Sequence, residues 1–130
     1  MTILSGKDLL DGGLALKTER VPVPELGDGA EVIVREMTAA AREHYSDGLL
    51  VEDPDDPDES GAPKRKPRIG QMYARLVAFS VVNEAGELQF SESHVEKLSG
   101  LPATVIERIA AAAARVSGIG EAALEAARKN

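Results

Sequence analysis

The chain has 130 residues, of which 43% are hydrophobic, and its 22 acidic residues exceed its 15 Lys and Arg residues to give a net charge of −7. This size and composition predict a single domain over residues 1–130 with a core of ordinary size. The acidic balance argues against a surface that follows a nucleic acid backbone or an anionic membrane, because such surfaces need clustered cations. The chain has no cysteine, which excludes disulfides and thiolate chemistry. No apolar run approaches the ~20 residues of a membrane-spanning helix, so we expect a soluble cytosolic protein.

The first part of the chain predicts a short helix followed by a β-hairpin. Ser5 is placed to cap a helical turn that Gly12 ends. Residues 21–24 and 30–36 then form two apolar runs that are separated by a glycine-rich turn, which is a hairpin pattern. The prolines of the first run place it at the edge of a sheet.

The middle of the chain predicts a capped helix and then a charged loop. Thr38 stands at the N-cap position of an alanine-rich stretch that Gly48 would end. Residues 51–68 contain six acidic residues followed by four basic ones, with several prolines and almost no apolar side chains. Because this segment has little apolar area to bury, it predicts a flexible acidic and basic loop.

Helical periodicity returns in the second half of the chain. Apolar residues recur at spacings of three and four over residues 69–80 and 102–116, and these two segments predict the core helices. Proline and glycine residues bound the second of them. A last short helix is predicted over residues 121–128.

Two smaller elements are predicted between the core helices. Residues 81–90 read as two very short strands around a tight turn. Ser91 or Ser93 would cap a short helix that ends at Gly100, and Ser93 has the capping-box spacing to Glu96. The predicted fold class is therefore α+β: mainly helical, with an N-terminal β-hairpin, a short second hairpin or turn, and a mobile charged loop.

No constellation of residues predicts catalysis or a metal or cofactor site. The acidic run lacks the spacing of a calcium loop, because Pro57 and Asp58 stand where a ligand and a sharp-turn glycine are needed. His44 and His94 are far apart in sequence and have no nucleophile pattern around them. The basic run at residues 64–68 follows the acids directly and lacks aromatic residues, which favours charge compensation over nucleic acid binding. We therefore expect no enzymatic activity.

The order of the elements carries more information than any single motif. The longest motif is ARLVAFSVVNEAGELQFSE at residues 74–92. It follows a VPVPE strand and turn at residues 21–25 and a Met-Thr-Ala-Ala helix start at residues 37–40, and it precedes a terminal helix that ends in Ser117-Gly118. Together these features resemble the tail assembly chaperones of long-tailed, siphovirus-type bacteriophages over most of the chain. The motifs that carry the resemblance are typical of a fold rather than of a catalytic site. The charged segment at residues 51–68 matches no feature that the family shares.

The resemblance implies a small non-enzymatic protein that has no catalytic residues, metal or cofactor. Its expected partner is the tape measure protein, which it would keep soluble while tail tube subunits are recruited, in part through a longer frameshifted product. Lys129-Asn130 could be encoded by a slippery AAA AAC site. The expected location is the cytoplasm of the infected bacterium and not the mature virion. Weak self-association through helix faces is also expected, but no binding of nucleic acid or membrane.

The expected binding surface is formed by the helices at residues 69–80 and 102–116, because aliphatic grooves can cover the apolar face of a partner helix. The candidate contact residues are Met72, Tyr73, Val105, Arg108 and Ile109. For the alanine-rich second helix, ordinary packing against the first is favoured over a dedicated partner site, and the two can hold on opposite faces.

Two alternatives from other functional classes stay open at this point. One is a structural head-tail connector or tail completion protein, which would persist in purified virions. The other is a small regulatory module whose basic run touches nucleic acid, for which steeply salt-dependent binding would be the mark.

Overall fold

The computed structural model describes residues 2–67 and 71–120, which form a layer of helices against a three-stranded sheet and a two-stranded charged hairpin. The helices are α1 (Gly6–Asp11), α2 (Ala39–Asp47), α3 (Met72–Ala78), α4 (Val95–Ser99) and α5 (Ala103–Val116). The strands are β1 (Thr18–Pro22), β2 (Glu31–Arg35), β3 (Leu50–Pro57), β4 (Pro63–Pro67) and β5 (Val81–Val82). The predicted α+β class is confirmed. The helix predicted over residues 121–128 lies outside the described residues.

The three-stranded sheet has the order β1-β2-β5 and is antiparallel throughout. Val21 pairs with Val32 in the predicted hairpin, and the backbone N–H of Val23 donates to the carbonyl oxygen of Ala30 at 2.8 Å to close its turn. The prediction that β1 is an edge strand is confirmed. The predicted short hairpin is reduced to a single bridge between Val82 and Leu88, and β5 also pairs with β2.

Side-chain caps define the helix starts that the sequence indicated. Ser5 and Asp8 form a reciprocal capping box at α1, and the Thr38 hydroxyl accepts from the Ala41 N–H at 3.1 Å at α2. Before α4, Ser91 rather than Ser93 is the capping residue, since its backbone N–H donates to the His94 ring at 3.0 Å. A 3-10 turn at Glu92–His94 therefore separates this cap from α4.

The core lies between α3, α5 and the inner face of the sheet. The apolar stripe predicted on α5 is buried, and its alanines allow close approach of the neighbouring helix, since Ala110, Ala112 and Ala113 are fully buried. From α3, Leu76 is fully buried in the same cluster, and Val34 reaches it from β2. Aliphatic side chains supply most of this core, as the low aromatic content predicts.

The helix predicted over residues 69–80 is shorter than expected. α3 begins at Met72 because Gln71 has a left-handed backbone with φ of 60° and ψ of 9°, a conformation that cannot continue a right-handed helix. It ends before Phe79, and residues 68–70 lie outside the described part of the chain.

The segment predicted as a loop at residues 51–68 forms the antiparallel hairpin β3–β4, so that part of the prediction is wrong. The acids precede the bases in sequence, so folding the chain back on itself places Glu52 opposite Arg65 and Asp53 opposite Lys64. The Lys66 ammonium also lies 3.7 Å from the Asp53 carboxylate. Charge pairing across the strands thus takes the place of a buried apolar face. The flexibility of this segment stays a prediction.

Candidate partner-binding site

An apolar groove lies where the corner between α4 and α5 meets the first turn of α3; we call it the α3–α5 groove. Its volume is about 280 Å³. Its apolar lining residues are Met72, Tyr73, Ala74, Leu101, Ala103 and Ile106, and Gln71, Ser99 and Glu107 are its polar ones. Pockets for small molecules typically have about 300–1,000 Å³. The groove is therefore of a size to accept one or two apolar side chains of a protein partner.

The sequence builds this groove through the way α4 ends and α5 begins. Gly100 ends α4, and the Leu101 N–H donates back to the Leu98 carbonyl oxygen at 3.1 Å. Pro102 then occupies the N-cap of α5, so the chain turns sharply. Leu98 points into the core, whereas Leu101 is left 49% exposed at the corner. This corner presents an aliphatic side chain to the groove.

The five residues predicted to contact a partner are divided among three places. Met72 and Tyr73 line the α3–α5 groove, where Met72 is buried and Tyr73 half-buried. Val105 and Ile109 are buried in the core cluster on the inner face of α5. Arg108 lies beside the turn between β1 and β2. The groove thus brings together two of the five.

Arg108 forms a clamp between α5 and the β1–β2 turn. Its guanidinium donates to both carboxylate oxygens of Glu25, at 2.9 and 2.7 Å, and to the carbonyl oxygen of Pro22 at 3.2 Å. The paired hydrogen bonds from Arg108 lower the pKa of Glu25 to about 2. Two helical turns later, Arg115 donates to Glu19 at 2.7 Å, which lowers the pKa of that carboxyl group as well. A role for Arg108 in partner binding stays a prediction.

Four apolar residues of the groove were not among the predicted contacts, namely Ala74, Leu101, Ala103 and Ile106. Leu101 had a signal in the sequence, since an apolar residue between a helix-ending glycine and a helix-starting proline belongs to neither helix. Ile106 lies on the buried apolar stripe of α5, and helical periodicity does not show which part of a stripe borders a groove.

A buried arginine fixes the orientation of α3 and hence of its groove residues. The Arg75 side chain is only 1% exposed and donates to Glu92 and to the carbonyl oxygens of His44 and Tyr45, at 3.3 and 3.4 Å. Its guanidinium carbon also lies 5.4 Å from the centre of the Phe79 ring. These contacts join α3 to the end of α2 and to the 3-10 turn before α4. The α3–α5 groove is therefore built on a fixed helix.

The histidines serve the fold in different ways. His94 takes part in the cap before α4, and its ring packs edge-on against Phe90 with the centres 5.7 Å apart. His44 is exposed on α2. Within residues 2–67 and 71–120, no three His, Asp or Glu side chains are grouped so as to hold a metal ion. Over the same ranges, the helices lack the length and hydrophobicity that crossing a bilayer requires.

Most of this chain matches the model of a known protein family. The family model described as phage tail assembly chaperone matches residues 9–129. The chain belongs to this family. No curated protein matches the chain. No solved structure matches it either.

The match to the phage tail assembly chaperone family includes every residue of the candidate site. The match takes in the whole α3–α5 groove and both arginine clamps on α5. The resemblance carried by the motif at residues 74–92 is thereby confirmed. As a tail assembly chaperone, the chain acts together with other phage tail proteins.

Proposed function

We propose that this protein binds an apolar helical segment of the phage tape measure protein and keeps it soluble until tail tube subunits assemble around it. The observation that carries the proposal is the α3–α5 groove, an open apolar surface on a member of the tail assembly chaperone family. The proposed role is non-enzymatic and consists of binding alone.

Three properties of the chain support this role. Leu101 at the corner and the half-buried Tyr73 offer apolar contact to a partner helix that presents one or two aliphatic side chains. The net charge of −7 keeps bound complexes apart in solution, because like charges repel at the surface. A fixed α3 means that little ordering is needed when the partner binds.

The wider setting follows from the same proposal. The protein acts in the cytoplasm of a bacterium infected by a siphovirus-type phage and leaves the complex before the virion matures. A longer frameshifted product helps to recruit tail tube subunits. The nucleotides that encode Arg128, Lys129 and Asn130 test this slippery site directly, because AAA AAC must follow an arginine codon that ends in A.

The central test is co-expression with the tape measure protein from the same phage. The native chain should raise the soluble fraction of the tape measure protein, and Leu101→Asp should remove most of that effect by placing a charge in the apolar groove. The matched control is Leu26→Asp, since Leu26 is 80% exposed on the β1–β2 turn, away from the groove. Equal solubilisation by both variants would refute the role of the groove.

A second measurement separates chaperone from structural component. Mass spectrometry of purified virions should find tail tube protein but no copies of this chain. Recovery of the chain in a fixed number per particle would instead establish it as a connector or tail completion protein.

A further inference from the structure

The amino-terminal arm, residues 2–16, is apolar in composition and makes no buried contact. Every described residue of the arm is exposed, and α1 has no buried side chain. Its large aliphatic side chains are between 39% and 85% exposed, and these are Ile3, Leu4, Leu9, Leu10, Leu14 and Leu16. Scattered exposed leucines are ordinary, but six in one short segment form a surface that a partner would cover.

The arm also has local order without the support that a helix of this length needs. Ser5 and Asp8 cap α1 reciprocally, with the Ser5 N–H 3.0 Å from the Asp8 carboxylate. The helix has six residues, whereas isolated helices below ~12–15 residues are marginal in water. A capped, apolar, unsupported helix is expected to be stable only when Leu9 and Leu10 lie against another surface.

We propose that two copies of this chain exchange arms, so that each arm places α1 in the α3–α5 groove of the other copy. Both halves of the contact are present in one sequence: an apolar arm without a partner surface and an open apolar groove. In the single chain the arm leaves its own groove uncovered, with Leu10 85% and Leu101 49% exposed. A second copy supplies the missing contact both for the arm and for the groove.

The length of the arm suits this exchange. The arm joins the body at Lys17, which is held to Glu36 by two hydrogen bonds of 3.1 and 2.7 Å. That junction lies near the end of α5, since Glu19 bonds Arg115, whereas the groove lies at its beginning. A helix of this length spans about 20 Å. The five residues between α1 and Lys17 extend over at most about 18 Å, so the arm can span most of the helix layer and reach a groove on either copy.

The size of the contact favours a reciprocal exchange over a one-way contact. A stable interface uses about 20–30 residues on each side. One arm alone falls short of this number, whereas arm and groove together supply about two dozen residues on each protomer. Reciprocal exchange also closes the assembly as a two-fold dimer, while a one-way contact would continue into larger rings or open chains.

The exchanged dimer has a characteristic response to salt. Each body carries a net charge of −7, so the two bodies repel, while the contact itself is apolar. Screening weakens the repulsion and leaves the apolar contact intact. Dimerisation should therefore strengthen as salt is added. The arm and a tape measure helix would occupy the same groove, so the exchanged dimer describes the chain before it binds its partner. The inference concerns the chain by itself, and its experiments use no tape measure protein.

The first experiment measures molar mass by light scattering on the purified full-length chain over a range of concentrations. We expect the native chain to reach the mass of a dimer and no more. Leu9→Asp combined with Leu10→Asp should raise the dimer dissociation constant by about 30-fold or more. Leu26→Asp is the matched control and should leave the dissociation constant unchanged, because Leu26 lies outside arm and groove. The arm variant tests the proposal even if a groove variant misfolds, since the arm makes no contact with the core.

The second experiment maps the contact with introduced cysteines, which the absence of native cysteine makes unambiguous. Under mild oxidation, Leu10→Cys mixed with Leu101→Cys should give a cross-linked dimer, whereas Leu26→Cys mixed with Leu101→Cys should not. The double variant carrying Leu10→Cys and Leu101→Cys should also cross-link between chains.

Four outcomes would overturn the proposal. They are a monomer at all concentrations, masses that grow beyond a dimer, a dimer that the arm variant leaves intact, and cross-linking within one chain of the double variant. The last would mean that the arm covers its own groove. Tape measure solubilisation can succeed or fail under any of them, so the two proposals are tested separately.

Discussion

The α3–α5 pair and the β3–β4 hairpin are held together by different forces. α5 buries a face of valine, isoleucine and alanine against α3 and the sheet, and Leu76 is fully enclosed there. In the hairpin, the side chains of β3 are exposed or half-buried, and the strands are matched by opposite charges. Burial of apolar area stabilises a fold far more than exposed ion pairs do. The helix pair should therefore set the global stability, while the hairpin opens locally at low cost.

The largest effect should come from removing volume in the helix pair. Leu76→Ala leaves a cavity in a site that is 0% exposed, and should lower the free energy of unfolding by about 2–5 kcal/mol. The matched variant in the hairpin is Leu50→Ala, at a residue that is 41% exposed, and it should change stability by less than about 0.5 kcal/mol. Urea unfolding measures both. Similar losses would mean that the hairpin contributes to the core.

The second effect concerns the buried arginine that joins α2 to α3. A Cβ atom at Gly48 would overlap the Arg75 guanidinium, although the Gly48 backbone, with φ of −73° and ψ of −7°, suits any residue. Gly48→Ala should therefore cost about 1–3 kcal/mol of overpacking. Gly6→Ala is the control, because nothing lies within 4 Å of its added Cβ, and it should change stability by less than about 1 kcal/mol. Thermal and urea unfolding would contradict this account if the two variants behaved alike.

The third effect is a pH dependence of the clamp between α5 and the β1–β2 turn. The Glu25 pKa falls from 4.5 to about 2 in the folded state because Arg108 donates two hydrogen bonds to its carboxylate. A lowered folded-state pKa contributes stability above the unfolded value, and this contribution is lost as pH falls from about 4.5 towards 2. Glu25→Gln should flatten the decline in stability within that window. Asp28→Asn, on the same turn, is the control, and an equally flattened curve for it would argue against the clamp.

The smallest effect on global stability should come from reversing charge in the hairpin. Lys64→Glu combined with Lys66→Glu places like charges opposite β3, which should speed amide exchange over residues 50–67. The free energy of global unfolding should change by less than about 1 kcal/mol. Replacing both residues by glutamine removes the attraction without adding repulsion and should give an intermediate exchange rate. Faster exchange throughout α3 and α5 would contradict the separation of the two regions.

Much of the helix layer could be predicted from the sequence because its signals are local. The stripe on α5 repeats every three to four residues, and Ser5, Thr38 and Gly100 stand at the helix ends that they define. The N-terminal hairpin was likewise predicted, since its apolar runs flank a glycine-rich turn. The hairpin β3–β4 was missed because its strands are matched by opposite charges on facing residues. A search for apolar periodicity does not detect such a match.

The site could be predicted only in part, because it depends on tertiary contacts. Helical periodicity places Val105 and Ile109 on the apolar stripe of α5. It does not distinguish the part of the stripe inside the core from the part that borders the groove. Arg75 has the charge of a surface residue, yet it is buried, and the end of α2 and the 3-10 turn before α4 supply its acceptors. The position of Leu101 is set by the corner between α4 and α5 rather than by a repeat.

The clamp formed by Arg108 also bears on how this protein behaves at high concentration. β1 is an edge strand, and an open edge invites another strand to add by backbone hydrogen bonds. Pro22 has no N–H to offer, and its carbonyl oxygen is already engaged by the Arg108 guanidinium. The end of the strand therefore lacks both groups that an incoming strand would pair with. This end of the β1 edge is thus guarded against joining copies of the chain into β-aggregates.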